Sequence, residues 1–412
     1  MQLTKRLVAL GAASAILITA CSGTGATPAP ATPAAATPAP ATPAPASEPP
    51  ASEAATAEAP SEAAVNKDWK SCVAFDTGGL GDKGFNDLAK KGLDDAAALG
   101  YVTASAEAKN ATDFEGNIQR LIDQGCRTII TVGFLQGSAT AKATLANPDI
   151  AFGQVDATWN SAGDDFTPGT ADDPPPGVPA NFTGLDYQVD QAAMLAGYLA
   201  ASWTKSGKVA TYGGLAFPGV TRFMDGYYAG VQYYNKQKGK DVKVIGWDGS
   251  LPDPTTTGAF VGGSGGTDTW NNPSEGEQRA KSLLDQGVDI VHPVAGETGN
   301  GTIKAMLAAN KWAIGVDNDQ AITLPQYAGA ILTSAQKAID VSVLDVIKKT
   351  SSGDLGGEDY SGTLANKGVL LAPFHDFDSQ ISAETKTELT TLAAAIADGS
   401  ITVCSFLGRG CS

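Results

Sequence analysis

The stretch Ser71-Cys72-Val73-Ala74-Phe75-Asp76-Thr77-Gly78-Gly79 is a short apolar run that ends in polar residues and two glycines. Such a run, bounded by turn residues, predicts a buried β-strand. From Phe85 to Leu99, apolar residues recur at helical spacing and predict a helix with one buried stripe. The folded part of the chain therefore begins with a strand, a glycine-containing turn and a helix.

The same alternation of strands and helices continues toward the C-terminus. Further strands are predicted at Tyr101–Ala106, Thr128–Val132, Ile150–Val155, Lys208–Tyr212, Val242–Trp247, Asp289–Pro293, Ala313–Val316 and Gly368–Ala372. Further helices are predicted from Asp113 to about Gln124 and at Gln188–Trp203, Phe223–Gln237, Ser274–Gln286, Thr302–Asn310 and Ser334–Lys349. Alternation of this kind gives an α/β fold, with parallel sheets that carry helices on both faces.

Polar and glycine residues follow several of the predicted strands, at Asp76-Thr77-Gly78-Gly79, Gly133-Phe134, Gly213-Gly214, Ala295-Gly296 and Asp317-Asn318-Asp319. Ligands bind open α/β sheets beyond the carboxyl ends of their strands. The body of the chain is longer than a single core usually allows, so we expect two lobes with one cleft between them. Two long loops, 157–180 and 249–269, are either functional or mobile decoration.

The N-terminus has the pattern of an export signal. Lys5 and Arg6 precede an apolar stretch, Leu7–Ile18, that is too short to span a bilayer as a permanent helix. Small residues then lead to Cys21, which resembles the lipobox of bacterial lipoproteins, where the cysteine becomes the lipid-modified N-terminus. The alternative is an ordinary signal peptide with an incidental cysteine. We expect residues 1–20 to be removed and Cys21 to anchor the protein on the extracytoplasmic side of the cell membrane.

The segment 21–67 is rich in Ala, Thr and Pro and has too few apolar side chains to form a core, which predicts a disordered, extended tether. The formal net charge of the chain is −16. Such an acidic chain argues against nucleic acid as a partner. No stretch after the signal is apolar for long enough to predict a membrane helix.

Four cysteines remain after Cys21, namely Cys72, Cys126, Cys404 and Cys411. Cys404 and Cys411 close a short terminal loop and could pair in an oxidising compartment. Cys72 and Cys126 each begin a predicted strand and could pair if those strands are neighbours. Three pairings are possible, and the sequence does not choose between them.

The segment Asp76-Thr77-Gly78-Gly79-Leu80-Gly81-Asp82-Lys83-Gly84-Phe85-Asn86 resembles a sequence block of the basic membrane protein family. This family of solute-binding lipoproteins includes purine-nucleoside receptors of ABC importers. Further matches, in the right order over residues 70–375, are Gly133-Phe134-Leu135, Leu195–Ala200, Gly213-Gly214, Gln286–Ile290, Ala295–Gly299, Gly315–Gln320 and Leu332-Thr333-Ser334 with Lys337.

The resemblance implies the type I periplasmic-binding-protein fold, in which two Rossmann-like lobes close on a ligand around a hinge. We expect an N-terminal lobe from residues 68–184 and about 320–360, and a C-terminal lobe from residues 185–319 and about 365–412. The implied activity is capture of a nucleoside, with a purine base, for delivery to ABC permease subunits. We expect a monomer, and no cofactor or metal.

The resemblance also implies site residues. Phe85 and Phe223 would sandwich the base, although Phe217 lies near Phe223 in the sequence. Asp76 would contact the base edge, and Asp317 and the backbone of Gly296 would contact the ribose. Further candidates are Gly133, Phe134, Asn271, Asn86, which could instead stabilise the turn, and Lys337, which could instead pair with Asp317 or Asp319.

Two positions depart from the family pattern. Gly84 stands where family members usually have Ser, which removes one possible hydrogen bond to the base. Asn271 and Asn272 stand where the family commonly has an Asp that holds the ribose. An amide donates as well as accepts hydrogen bonds, so sugar binding at this position would follow a different pattern.

An enzymatic function is not supported by the sequence. Of the two histidines, neither His292 nor His375 lies in a nucleophile-elbow pattern, and no phosphate-binding Gly-Lys-Ser/Thr motif is present. His292 is expected in the core. The alternative functions are a pentose-binding protein of the same fold and a ligand-sensing surface lipoprotein without a transport role.

Overall fold

The computed structural model describes residues 65–160, 175–249, 259–262 and 267–407. The predicted signal 1–20, Cys21, Cys411 and nearly all of the predicted tether 21–67 lie outside these residues. Large parts of the two long loops, 157–180 and 249–269, also lie outside them. The predictions made for these segments therefore stay predictions.

The strands of the first half of the body form one parallel sheet. Its members are β1 (Lys70–Phe75), β2 (Val102–Glu107), β3 (Thr128–Val132), β4 (Ala151–Val155), β5 (Phe182–Tyr187) and β11 (Tyr360–Gly362). Their order across the sheet is β11-β5-β4-β3-β1-β2, and each described pairing is parallel. Together with the helices that pack on it, this sheet is called the first lobe.

A second sheet carries the second lobe. Its members are β6 (Lys208–Gly213), β7 (Lys243–Ile245), β8 (Ile290–Val294), β9 (Trp312–Asp317), β10 (Ile331–Lys337) and β12 (Val369–Leu371). Their order is β12-β10-β9-β8-β6-β7, and β12 runs antiparallel to β10 while the other described pairs are parallel. The expected α/β fold with two sheets is confirmed.

Helices cover both sheets. Those of the first lobe are α1 (Phe85–Ala98), α2 (Phe114–Asp123), α3 (Gly137–Ala146) and α10 (Ile339–Ser351). Those of the second lobe are α4 (Val189–Trp203), α5 (Pro218–Lys238), α6 (Thr267–Trp270), α7 (Pro273–Asp285), α8 (Gly296–Ala308), α9 (Gln320–Thr323) and α11 (Ala383–Ala397). In the part of the chain that the structure describes, none of the helices has the length and apolarity that crossing a membrane requires.

The strand β10 corrects two expectations. The segment Ser334–Lys349 was expected to be one helix, but residues up to Lys337 are strand and the helix begins at Ile339. The strand is buried, but it contains several polar residues, so its sequence does not form the apolar run that predicts a buried strand. Thr333 Oγ1, for example, donates to the carbonyl oxygen of Ala372 at 2.7 Å. Because β10 pairs with β9, residues 331–337 belong to the second lobe, not to the N-terminal lobe that was expected to include about 320–360.

Three connections in the described residues pass from one sheet to the other. They are the steps from β5 to α4, from β10 to α10 and from β11 to β12. Backbone hydrogen bonds join them: Gln188 N donates to Gly362 O at 2.8 Å, and Ala338 N donates to Gly368 O at 2.9 Å. These crossovers form the covalent link about which the two lobes can turn.

A disulfide joins Cys72 and Cys126, with their Cα atoms 6.0 Å apart. Cys72 lies in β1, and Cys126 directly precedes β3, the neighbour of β1 in the sheet. The two strands are therefore neighbours, as a pairing of Cys72 with Cys126 requires. The pairing expected for Cys404 with Cys411 stays a prediction, because Cys411 lies outside the described residues.

Candidate binding site between the lobes

A cavity lies between the two lobes, at the carboxyl ends of strands from both sheets. Its volume is about 560 Å³, including the part open to solvent. Small-molecule sites occur preferentially at interfaces between domains, where this cavity lies. The lining residues are Asp76, Gly78, Asp82, Phe85, Asn86, Phe134, Asp156, Phe217, Val220, Phe223, Trp270, Asn271, Val294, Ala295, Gly296, Glu297, Val316, Asp317 and Lys337.

Nearly all of the residues that the family resemblance selected line this one cavity. They are Asp76, Phe85, Asn86, Phe134, Phe223, Asn271, Gly296, Asp317 and Lys337. Gly133 lies behind the wall instead. Its φ of +93° is in the left-handed region, and a Cβ at this position would lie 2.5 Å from Oδ2 of Asp76. Gly133 therefore leaves room for the carboxylate.

The carboxylate of Asp76 is held in place by neutral donors. Its Oδ1 accepts hydrogen bonds from Gly78 N at 2.8 Å and from Asn86 Nδ2 at 2.9 Å. Burial raises the pKa of Asp76 to about 6, against the effect of these two hydrogen bonds. The charges of Asp82 and Asp156 raise it further. The side chain therefore has a fixed position in the wall of the first lobe.

Asn86 supports two carboxylates at once. Its Nδ2 donates to Asp76 and also to Oδ2 of Asp82 at 3.1 Å, while its Oδ1 accepts from Asp76 N at 3.3 Å. Asp82 in turn accepts the backbone N–H groups of Gly84 and Asn86 and so caps the start of α1. These contacts favour the turn-stabilising interpretation of Asn86 over direct ligand contact.

A buried lysine joins carboxylates at the ends of two strands. Nζ of Lys337, at the end of β10, lies 2.6 Å from Oδ2 of Asp156 and 3.5 Å from Oδ1 of Asp317. Burial alone would lower the pKa of Lys337, but the two carboxylates outweigh it and raise this pKa. Both Asp156 and Asp317 have φ of +62°, a strained conformation for a residue with a side chain. Strain of this kind is often found at functional sites.

Asp317 is the less satisfied of the two. Among the described residues its Oδ1 is buried and has no hydrogen-bond partner. Burial raises the pKa of Asp317 to about 6; the charge of Lys337 opposes this shift, and the charge of Asp156 adds to it. An acceptor of this kind, in the wall of a cavity, is suited to a hydroxyl or N–H donor of a ligand.

Asn271 and Asn272 have different roles. Oδ1 of Asn272 accepts from Glu275 N at 3.2 Å and caps α7, whose first residue is Pro273. Asn271 lines the cavity, and within the described part of the chain its buried Oδ1 has no hydrogen-bond partner. Asn271 is thus the residue of this pair that is available to a ligand.

Five aromatic side chains line the cavity, namely Phe85, Phe134, Phe217, Phe223 and Trp270. The ring of Phe134, from the first lobe, faces that of Phe217, from the second, with an angle of 30° between their planes. Trp270 meets Phe217 edge to face, with ring centroids 6.3 Å apart. The ammonium of Lys337 lies 4.9 Å from the ring centroid of Phe223, which also packs against His292.

Asp156, Phe217 and Trp270 line the cavity but were not among the site candidates of the sequence analysis. Asp156 follows β4 directly, as Asp76 and Asp317 follow their strands, so the strand-end rule could have found it. Phe217 was mentioned as a neighbour of Phe223, but no sequence signal separates the two. Trp270 follows a segment outside the described residues, and nothing in its sequence context indicated the cavity.

The cavity is rich in acidic groups. Asp76, Asp82, Asp156, Glu297 and Asp317 line it, whereas the cationic side chain among the lining residues is that of Lys337. No cluster of three or more possible metal ligands occurs within residues 65–160, 175–249, 259–262 and 267–407. The arrangement suits an uncharged ligand with several hydrogen-bond donors and an aromatic ring, rather than an anion.

Comparison with known proteins identifies relatives of this chain. A sequence model of the Bmp family, described as ABC transporter substrate-binding protein PnrA-like, matches residues 69–255 and 264–403. The chain is 28% identical over 361 residues to the ABC transporter nucleoside-binding protein BmpA of Lactococcus lactis, covering 82% of this chain and 90% of that protein. It is 26% identical over 330 residues to basic membrane protein A of Borreliella burgdorferi, covering 79% and 85% of the two chains.

Solved structures share the fold. An ABC transporter solute-binding protein of Aeropyrum pernix superposes with a TM-score of 0.66 at 24% identity, over 81% of this chain and 92% of that one. A solute-binding protein of Conexibacter woesei superposes with a TM-score of 0.60 at 18% identity, over 82% and 99%. At these identities the likeness shows the periplasmic-binding-protein fold alone.

Proposed function

The chain belongs to the Bmp family of PnrA-like ABC transporter substrate-binding proteins, and we propose that its cleft captures a nucleoside, with a purine base, for an ABC importer. Proteins of this family act outside the cytoplasm and bind ligands without catalysing a reaction. The observation that carries the proposal is one cavity with aromatic rings from both lobes and a carboxylate in each wall. A nucleoside has a planar base, a base edge with N–H donors and a sugar diol, and so matches these features.

The base is proposed to lie against Phe85 and Phe217. Stacking of a base on an aromatic ring is worth about 1–3 kcal/mol in nucleic-acid complexes. Phe217 is favoured over Phe223 because its ring faces Phe134 of the first lobe across the cleft, whereas the ring of Phe223 packs against His292 of its own lobe. The fixed carboxylate of Asp76 would accept a hydrogen bond from an N–H group on the base edge.

The sugar is proposed to bind in the wall of the second lobe. The unpartnered Oδ1 of Asp317 would accept from a ribose hydroxyl, and charged acceptors give hydrogen bonds worth about 1.5–3 kcal/mol. Asn271 would form a second hydrogen bond through an amide that can donate or accept. Gly296, with φ of +56°, lets the backbone approach the sugar closely.

We also propose that Cys21 carries a lipid and that the segment 21–67 tethers the binding lobes to the membrane. The basic residues Lys5 and Arg6, the apolar stretch before Cys21 and the proline-rich composition of the segment support this interpretation. Delivery of the ligand would then occur from the closed form to the permease subunits at the same membrane. Labelling of the expressed protein with radioactive palmitate, lost on Cys21→Ala, is the expected result.

The ligand is tested by thermal unfolding of the protein from Asp68 onward, after one cycle of unfolding and refolding to remove ligand from the host. The panel contains purine and pyrimidine nucleosides, their 5′-monophosphates, free bases, pentoses and hexoses. A ligand at 100 times its Kd stabilises the folded state by about 2.7 kcal/mol. Purine nucleosides are expected to raise the unfolding temperature, and their monophosphates are not, because the cavity is acidic. A shift with pentoses but no nucleoside would overturn the proposed ligand in favour of a sugar.

A further inference from the structure

At the mouth of the cleft, two side chains of the second lobe donate hydrogen bonds to backbone carbonyl oxygens of the first lobe. Oγ1 of Thr323, in α9, donates to Lys83 O at 2.9 Å. Nδ2 of Asn300, in α8, donates to Asp82 O at 3.4 Å. Both acceptors lie in the loop between β1 and α1, and neither Thr323 nor Asn300 is among the residues that line the cavity.

Asn300 is connected to the ligand cavity through Gln320, which lies in the same helix as Thr323. Its Nε2 donates to Oδ1 of Asn300 at 3.2 Å, and its Oε1 accepts from Val316 N at 3.1 Å. Val316 lines the cavity and directly precedes Asp317. On the other side of the contact, Lys83 has φ of +62°, so a residue with a side chain is held in the left-handed region where its carbonyl meets Thr323.

We propose that Thr323 and Asn300 form a closure latch, a pair of positioning residues that hold the lobes together around a bound ligand and slow its release. The latch rests on the proposed function only for the choice of ligand in its test. It assigns a role in binding to residues that do not touch the ligand, because their contacts join the two lobes directly.

The geometry requires these contacts to break when the cleft opens. A hydrogen bond of 2.9 Å is lost once its donor and acceptor separate beyond about 3.5 Å, so a small turn about the hinge is enough. Lys337 differs, because it lies next to the crossover at Ala338. Its ion pair with Asp156 of the first lobe therefore lies beside the hinge, and the latch adds a further contact between the lobes to this ion pair and to the contact of Phe134 with Phe217.

A latch of this kind acts on release rather than on capture. The ligand enters the open form, in which the latch is not formed, so its association rate should not depend on Thr323. Release requires opening, and a contact present only in the closed form shifts the equilibrium toward that form. Loss of one neutral hydrogen bond of this kind corresponds to about a three- to ten-fold change in an equilibrium constant.

The test compares Thr323→Val with Thr387→Val in the protein from Asp68 onward. Both substitutions remove a hydroxyl that donates at 2.9 Å to a backbone carbonyl. The hydrogen bond of Thr387 lies within α11, so it does not connect the two lobes. Association and dissociation rates are measured by stopped flow with inosine, or with the compound of the thermal panel that gives the largest shift. A third variant, Asn300→Asp, keeps the acceptor for Gln320 and replaces the donor that faces Asp82 O.

Thr323→Val and Asn300→Asp are each expected to raise the dissociation rate about three- to ten-fold, with the association rate and the unliganded unfolding temperature unchanged. Thr387→Val is expected to change neither rate. Dissociation rates equal to that of Thr387→Val would overturn the latch. If no nucleoside binds the wild-type protein, the proposed ligand fails, and the same rates are then measured with the compound of the thermal panel that gives the largest shift. Equal dissociation rates for Thr323→Val and Thr387→Val with that compound would likewise overturn the latch.

Discussion

Each lobe contributes a carboxylate to the cleft, and the two are held in different ways. Asp76, in the first lobe, accepts hydrogen bonds from Gly78 N and from Asn86, so its position is fixed by neutral donors. Asp317, in the second lobe, has a strained backbone and an Oδ1 without a hydrogen-bond partner in the described residues, with the ammonium of Lys337 3.5 Å away. Oδ1 of Asp76 therefore has its hydrogen bonds without a ligand, whereas Oδ1 of Asp317 has no hydrogen-bond donor among the described residues.

This difference indicates a division of labour between the lobes. A carboxylate that is already oriented loses little freedom on binding, so the Asp76 wall is suited to selecting a rigid group such as a base. A buried acceptor without a partner is costly until a ligand donates to it. The wall that contains Asp317 therefore gains more from the ligand, which favours the closed form of the protein when a ligand is present.

The largest expected effect comes from removing the cation that pairs with a carboxylate of each lobe. Lys337→Met leaves the buried carboxylates of Asp156 and Asp317 without their counter-charge. Breaking a buried ion pair in this way typically costs about 3–5 kcal/mol. We expect urea denaturation at pH 7 to show a loss of this size in the free energy of unfolding.

The control for this variant is Lys386→Met, which removes an exposed lysine 2.7 Å from Asp378. Exposed ion pairs contribute about 0–1 kcal/mol, so this control is expected to change the free energy of unfolding by less than 1 kcal/mol. Equal losses in the two variants would contradict a structural role for the buried charge cluster. Asp76 provides a further comparison, because its wall contains no cation to remove.

The aromatic side chains provide a smaller effect that separates two candidates for stacking. Phe85→Leu and Phe217→Leu should each weaken nucleoside binding by about 1–3 kcal/mol in calorimetric titrations, because a leucine fills space but offers no ring. The ring of Phe223 is buried and packs against His292 rather than across the cleft, so Phe223→Leu should change the affinity less than three-fold. A larger loss for Phe223→Leu than for Phe217→Leu would reverse the assignment.

Much of the fold could be predicted from the sequence because most strands are short apolar runs with polar ends. The strands β5, β10 and β11 were missed. In β10 the polar side chains are buried and bonded, as Thr333 is to Ala372, so the run does not look apolar. Because β10 was not recognised as a strand of the second sheet, residues 331–337 were assigned to the first lobe.

The candidate site was predicted unevenly for a similar reason. Asp76 and Asp317 follow predicted strands, and the same rule applies to Asp156, which was overlooked. The Asn-Pro pair at Asn272 and Pro273 is a recognisable helix start, because proline is favoured at the first helical position. That signal agrees with the choice of Asn271, rather than Asn272, as the ligand candidate in the sequence analysis. Phe217 and Phe223 both lie near the start of α5, so the sequence does not separate them. The choice between them depends on the side-chain contacts that the structure shows.

A third comparison is a dependence on pH that differs between the walls when a ligand is present. The pKa of Asp76 is raised from 3.8 to about 6 by burial. Between about pH 4 and pH 6 the unfolded chain therefore releases this proton while the folded protein keeps it. The contribution of Asp76 to stability is present below about pH 4 and is lost as the pH rises through about 6. Asp76→Asn should remove this slope, at most about 1.4 kcal/mol per pH unit, in unfolding curves of the unliganded protein.

Asp317→Asn should remove a similar slope from the unliganded protein, because burial raises the pKa of Asp317 to about 6 as well. Ligand affinity should change in the opposite direction, since an ionised carboxylate is the stronger acceptor and affinity should rise as the pH passes through about 6. Asp317, whose Oδ1 has the ammonium of Lys337 3.5 Å away and no hydrogen-bond donor within range in the described residues, should account for more of that rise than Asp76, whose Oδ1 is already bonded. If Asp76→Asn instead flattened the rise in affinity more than Asp317→Asn did, the first wall would be the one that the ligand completes, and the proposed division of labour would be reversed.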